Sequence, residues 1–224
     1  MTCLWCDKEL ILETTWSNLF LPSEKQYLCE KCGSQLELLT GQRCRRCSRI
    51  TEEIVCSDCQ TWESRGDDPL CLNHSVFAYN ERMQEMIAKW KYRGDYILGQ
   101  AFQKSFLRSF KKKFRQHKKY EVIPIPLSKE RIKERGFNQA EMLASFITPN
   151  YQQLLTRVHG EKQSKKTRKE RMDAKNPFKL TKALNNPVIL VDDIYTTGTT
   201  LRFAADVLKQ SGCPIVYGYT LIRG

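Results

Sequence analysis

Eight of the ten cysteines fall into four Cys-x-x-Cys pairs within the first quarter of the chain: Cys3 and Cys6, Cys29 and Cys32, Cys44 and Cys47, Cys56 and Cys59. This spacing lets two thiolates from one tight turn reach a single metal at ~2.3 Å, and two such pairs close a tetrahedral zinc site with no open position. Four pairs therefore make two sites. With 22 residues between the first two pairs and 8 between the last two, loop closure favours sequential pairing, first with second and third with fourth; an interleaved cross-brace stays open. Closed four-thiolate sites are structural staples for a module too small to bury a core of its own. A redox Cys-x-x-Cys is expected once, beside a βαβ unit, not four times ahead of any α/β pattern. Cys71 and Cys213 read as small buried apolar residues.

A disulfide reading requires an oxidising compartment. The opening "MTCLWCDKELILE" carries charge inside a short apolar stretch, and no later run of about 18 uncharged apolar residues appears. The expectation is a cytosolic protein without a transmembrane segment. Turn formers in "SRGDDPLCLNH" place the boundary of the cysteine-rich module, giving a double zinc-binding domain over 1–72 and a second domain over 73–224.

In the second domain the pattern changes to helices alternating with short apolar runs. Asn80 reads as an N-cap for a helix with Met83, Met86, Ile87 and Trp90 on one face, ending at Gly94. Asp95 opens a second helix whose Leu98, Phe102, Phe106, Phe110 and Phe114 recur every four residues, a core stripe more simply than a base-stacking ladder. "YEVIPIPL" reads as a buried strand, the charged segment before Gly136 as a loop, and the residues from Asn138 as a helix presenting Met142, Leu143 and Phe146 inward. "VILVDD" is a buried strand, Leu201–Gln210 an amphipathic helix, and "PIVYGYTLI" a last strand. Such alternation implies a parallel α/β sheet with its ligand site outside the carboxyl ends of the strands.

The net charge of +12 is concentrated. Between Arg108 and Lys182 stand 21 Lys and Arg against 7 Asp and Glu. A field of that sign favours polyanions, whether nucleic acid, phosphorylated small molecules or acidic lipid. Within it, residues 157–182 hold 10 Lys and Arg with little apolar content, the composition of a long loop.

"VILVDDIYTTGTT" brings the chemistry into focus. Thr196, Thr197, Gly198, Thr199 and Thr200, leading into a helix, offer backbone N–H groups, hydroxyl donors and a positive dipole end for a phosphate monoester. Asp192 and Asp193 can accept hydrogen bonds from the vicinal hydroxyls of a ribose whose 5-phosphate sits in that cradle. No Gly-x-x-x-x-Gly-Lys-Ser/Thr loop exists in the chain, which argues against an ATPase reading of the aspartates.

At these residues the sequence resembles the 5-phosphoribosyl 1-pyrophosphate (PRPP) motif of type I phosphoribosyltransferases. Together with the cysteine pairs, "KWKYRGD" (Lys89 to Asp95), "IPIPLSKERIKERGFNQAE" (Ile123 to Glu141) and "EKQSKKTRKER" (Glu161 to Arg171), it resembles the ComF family of late competence proteins, in its ComFC branch, over essentially the whole chain. The resemblance implies a type I phosphoribosyltransferase-like α/β domain behind a small double zinc module, two structural zinc ions, and a role with single-stranded DNA in natural transformation. It also implies a ComFA helicase-like ATPase as partner and a cytoplasmic location, with room for a peripheral place at the DNA-uptake machinery. Asp192 and Asp193 would hold the ribose diol and Thr196 to Thr200 the 5-phosphate. Lys129, Arg131 and Arg135 would face the pyrophosphate, bridged by Mg²⁺ when PRPP is bound. Lys162, Lys165, Lys166, Arg168 and Arg171 would stand on the family's lid and contact pyrophosphate or DNA. In that lid Arg171 is followed by Met172, Asp173 and Ala174 where an Asn is expected, which places an acid beside the pyrophosphate path. The alternative reading is an active phosphoribosyltransferase in nucleotide metabolism; a third is an adaptor that docks the helicase through its zinc module.

Overall fold

Apolar runs buried on two faces become the centre of a parallel sheet, because helices must cover both sides of it. The computed structural model describes residues 1–10, 25–92, 94–116, 119–157 and 176–224. Its strands are β1 (Leu72–Ala78), β2 (Glu121–Pro124), β3 (Leu155–Arg157), β4 (Phe178–Leu180), β5 (Val188–Tyr195) and β6 (Val216–Arg223). Four form one sheet in the order β1-β6-β5-β2, every neighbouring pair parallel, and β3 and β4 make a separate antiparallel ribbon. The helices are α1 (Glu30–Gly33), α2 (Ser57–Glu63), α3 (Glu81–Tyr92), α4 (Gln100–Phe114), α5 (Lys129–Arg135), α6 (Gln139–Ile147) and α7 (Thr199–Gln210).

Strand alternation sorts the core into two layers. Val122, Ile189, Val191, Tyr219 and Leu221 join the apolar cluster built with α3, α4 and α6. Ile123, Val188, Leu190 and Val216 point the other way, into the cluster built with α7. The stripe on α4 is core: Phe102, Phe106, Phe110 and Phe114 are buried, and Phe106 and Phe110 bring their ring centroids to 4.4 and 5.2 Å from Tyr219. Each cysteine cluster belongs to one layer. Cys3 and Cys32 lie in the α4 layer, whereas Cys44, Cys47, Cys56 and Cys59 lie in the α7 layer.

Three local expectations are corrected. Asp95 does not open α4; it caps a 3-10 turn over Tyr96–Gly99 by accepting from the Leu98 N–H, and that turn runs into α4. The charged segment before Gly136 is the helix α5, capped by Ser128 at its start and ended by Gly136 at φ 79°. The loop expected over 157–182 begins and ends as a ribbon, with Arg157 opposite Phe178. The outer edge of β1 is covered by the cysteine-rich segment: Leu39 N–H donates to the Val76 carbonyl, Ala78 N–H to Glu37 and Asn73 N–H to Arg46, which removes an open edge. No helix among the described residues is long and apolar enough to cross a membrane.

Candidate functional site

The cysteine sites repeat one design. In each, the first Cys-x-x-Cys forms a knuckle in which the N–H of the residue after the second cysteine returns to the first cysteine's carbonyl: Asp7 to Cys3 and Ser48 to Cys44, both at 3.0 Å. Asp7 and Ser48 take positive φ, 58° and 63°. The second pair then starts a short helix, with Cys29 and Cys56 as N-caps and Cys32 and Cys59 inside α1 and α2. The thiols gather sequentially, Cys3, Cys6, Cys29 and Cys32 in one group and Cys44, Cys47, Cys56 and Cys59 in the other. That resolves the pairing in favour of the sequential arrangement. A tetrahedron with zinc–sulfur bonds of ~2.3 Å sets its sulfurs about 3.8 Å apart; Cys6 and Cys29 stand at 3.7 Å and Cys47 and Cys56 at 3.6 Å. The donor sets therefore fit zinc, in closed sites without a position for substrate.

The threonine loop lies between β5 and α7. Gly198, at φ 78°, is the N-cap of α7, and Thr197 and Thr199 share a hydroxyl hydrogen bond of 2.9 Å. A Cβ on Gly198 would stand 2.2 Å from the Tyr195 hydroxyl and 2.3 Å from Arg202 Nη1. Glycine is thus required twice, by dihedral and by space. Beneath the loop Arg202 donates to the Tyr195 hydroxyl at 2.7 Å and, through Nη2 and Nε, to the two carboxylate oxygens of Asp68 at 2.8 and 3.0 Å. Its guanidinium lies 4.5 Å from the centroid of the Trp62 ring, and the Trp62 indole N–H donates to the Thr197 carbonyl at 3.0 Å. Trp62 sits on α2, the helix that carries Cys59. Arg223 completes the link, donating to the Tyr195 carbonyl at 3.2 Å and reaching Cys47 Sγ at 3.6 Å. The segment that carries the second cysteine cluster therefore supports the threonine loop from beneath.

At the carboxyl end of β5 the aspartates have different environments. Asp193 forms an ion pair with Lys91 of α3, and Asp192 accepts from the Asp193 N–H at 2.8 Å. Burial, reinforced by the neighbouring Asp193 charge, pushes the Asp192 carboxyl up to about 8. Burial also opposes ionisation of Asp193, but the Lys91 ammonium and the Arg135 guanidinium outweigh it and hold that carboxyl below the usual carboxylate range. One carboxylic acid beside one carboxylate can donate to and accept from a pair of vicinal hydroxyls.

Around the aspartates the structure collects a subset of the expected cations. Arg135 is buried, donates to Gln139 Oε1 at 3.1 Å and lies over the Tyr92 ring. Arg131 is half-buried and Lys129 exposed on the first turn of α5. Two cations were absent from the sequence expectation. Lys91 is one, and it was legible: it lies four residues after Ile87 on the apolar face of α3, where an unexplained cation signals a buried partner. The other is Arg157 on β3, whose guanidinium is held below its usual range by burial and by the Arg131 charge, with Asp192 acting oppositely. A three-residue strand carries no pattern that would have singled it out. Lys162, Lys165, Lys166, Arg168 and Arg171 lie outside the described residues.

Comparison with known proteins finds full-length relatives. The chain is 41% identical to competence protein ComFC of Bacillus subtilis, covering all of this chain and 95% of the relative. It is 33% identical to competence protein ComFC of Streptococcus pneumoniae, covering the whole of both. Among solved structures, a hypoxanthine phosphoribosyltransferase from Staphylococcus aureus is similar at a TM-score of 0.33 and 18% identity, over 56% of this chain and 62% of that one. No family model matches the chain.

Proposed function

The chain belongs to the competence protein ComFC family, and from that premise we propose that it handles incoming single-stranded DNA during natural transformation while holding PRPP or a related ribose 5-phosphate. The observation that carries the competence role is the full-length relationship to two proteins of that name. DNA contact is supported by the basic field between Arg108 and Lys182, which can neutralise backbone phosphates without reading sequence.

The phosphoribosyl ligand is supported by the site's division of labour. Thr196 to Thr200 and the α7 N-terminus take the 5-phosphate, Asp192 and Asp193 take the diol, and Lys129, Arg131 and Arg135, joined by Lys91 and Arg157, counter the charge on the pyrophosphate side. Mg²⁺ would supply further charge neutralisation at the pyrophosphate oxygens when the ligand is bound. Zinc in the two cysteine clusters is structural in this reading, the zinc-binding segment spans residues 1–72 and packs against the sheet that follows it, and the protein works in the cytoplasm beside a ComFA-type helicase-like ATPase. Active phosphoribosyl transfer is the second reading, favoured by the intact aspartate pair with its cations.

The test combines two titrations. A labelled single-stranded oligonucleotide followed by fluorescence anisotropy across salt concentrations should bind with affinity that falls steeply as salt rises. Calorimetry with PRPP and Mg²⁺ should give binding that Asp193→Asn abolishes. Absence of DNA binding at low salt overturns the DNA-handling role; release of pyrophosphate with a nucleobase favours the transferase.

A further inference from the structure

A cleft of about 540 Å³ opens on the α4 face of the sheet, between α4, the edge strand β1 and the segment that leads into the second cysteine cluster. It lies two strands from β5, and the threonine loop starts α7 on the opposite face. Its walls carry four cations from two segments, Arg43 on one side and Arg108, Lys112 and Lys113 on the other, and no acidic residue lines it. Arg108, Lys112 and Lys113 are exposed to solvent. Arg108 and Lys112 stand one helical turn apart, about 6 Å along the axis, so the charge is spread along a line rather than gathered at a point.

The floor is apolar and neutral. Leu38 is exposed there above the buried Leu39 and Val76, and the His74 ring stacks on Tyr219 at a centroid distance of 6.0 Å while sharing a 3.0 Å hydrogen bond with Ser109 Oγ. Burial and then the Arg43, Lys113 and Lys112 charges push the imidazole down to about 3. The cations thus converge on His74, which is uncharged at neutral pH.

We propose that this cleft holds a stretch of single-stranded DNA, its phosphates on Arg43, Arg108, Lys112 and Lys113 and its bases against the apolar floor, at a site separate from the phosphoribosyl pocket. A single strand fits this lining better than a duplex, because its unpaired bases have apolar faces to cover and its phosphates can follow a concave wall. Contact through the backbone makes the site indifferent to sequence. The proposal rests on the DNA-handling reading and gives it a location that the threonine loop and aspartates do not share.

The experiment measures oligonucleotide anisotropy against salt for the full chain and for Arg108→Gln/Lys112→Gln/Lys113→Gln. With about 0.7 of a salt-slope unit per neutralised phosphate on a single strand, loss of three cations should lower the slope by about 2 and weaken binding at least tenfold at low salt. Lys112→Arg/Lys113→Arg should retain binding, which separates lost charge from lost fold, and the chain's three histidines permit a second readout, a shift of the His74 ring resonance on adding DNA. PRPP with Mg²⁺ should not displace the oligonucleotide. If the unaltered protein binds DNA but the triple variant keeps full affinity and slope, or PRPP competes, this location is wrong while DNA handling stands. If the unaltered protein binds no DNA at low salt, both fall.

Discussion

Gly198 and Gly136 share a dihedral and differ in surroundings, so together they isolate what the threonine loop asks of its glycine. Their φ values are 78° and 79°, yet a Cβ at Gly136 would meet nothing within 4 Å, whereas at Gly198 it would collide with Tyr195 and Arg202. Gly136→Ala should cost about 1 kcal/mol, the penalty for a left-handed L-residue. Gly198→Ala should cost about 3 kcal/mol and abolish ribose 5-phosphate binding, since overpacking adds to the dihedral strain; urea unfolding and calorimetry of the two variants check this. The aspartates give a pH signature at the same scale. Asp192, raised to about 8 from an ordinary 3.8, contributes stability that is complete below about pH 4 and lost as pH climbs through about 8. Asp193, whose carboxyl is lowered, contributes in the opposite sense, above its unfolded value and lost on acidification. Asp192→Asn should therefore gain on the native protein as pH rises from 4 to 8, read as a widening gap between urea midpoints. A constant gap would mean that Asp192 ionises normally and is not the acid of the pair.

Among the elements, α2 has a reach beyond its seven residues, because it starts at one cysteine of the second cluster, carries another and ends beside the threonine loop. Trp62→Phe keeps the aromatic face against Arg202 but removes the donor to the Thr197 carbonyl. The loop should then bind ribose 5-phosphate about tenfold more weakly, the equivalent of one hydrogen bond, while native mass spectrometry still finds two zinc ions per chain. Unchanged affinity would make the contact incidental. What the sequence revealed about the elements follows the same physics. α3, α4, α6 and α7 were legible because each buries one stripe, and β5 because both its faces are covered. "KERIKER" has only Ile132 as an apolar residue, so periodicity hides α5; Ser128 and Gly136, its cap residues, were the available signal. The β3–β4 ribbon is three residues on each side and falls below any pattern length. The threonine loop was legible from composition, but its support by Trp62, Asp68 and Arg223 was not, since those residues are brought to it from distant parts of the chain.

For the molecule as a whole, cysteine spacing and apolar periodicity point to two four-cysteine metal-type clusters ahead of an α/β sheet, and that much was legible. Where the cysteine clusters dock was not, because linear order suggests a module that precedes a domain, while packing sets one cluster on each face of the sheet. Cys3 and Cys32 share an apolar layer with Trp90 and the α4 phenylalanines, and the second cluster shares the other layer with Tyr195 and Leu201. The second knuckle is also tied to β1 by hydrogen bonds from the Asn73 N–H to the Arg46 carbonyl at 2.7 Å and from Ser48 Oγ to the Asn73 carbonyl at 3.0 Å. With one cluster packed into each layer, the cysteine-rich segment cannot melt alone without exposing the sheet it covers. The zinc-loaded chain should therefore unfold in one calorimetric transition, and chelation should lower the midpoint of the entire molecule and release the ribose 5-phosphate ligand with the zinc. Residues 73–224 expressed alone should lack a cooperative transition, because β1 would lose its edge cover and Arg202 its Asp68 partner. Two separate transitions, the later one unaffected by chelator, would instead make the cysteine-rich segment an independent module and the floor beneath the threonine loop dispensable.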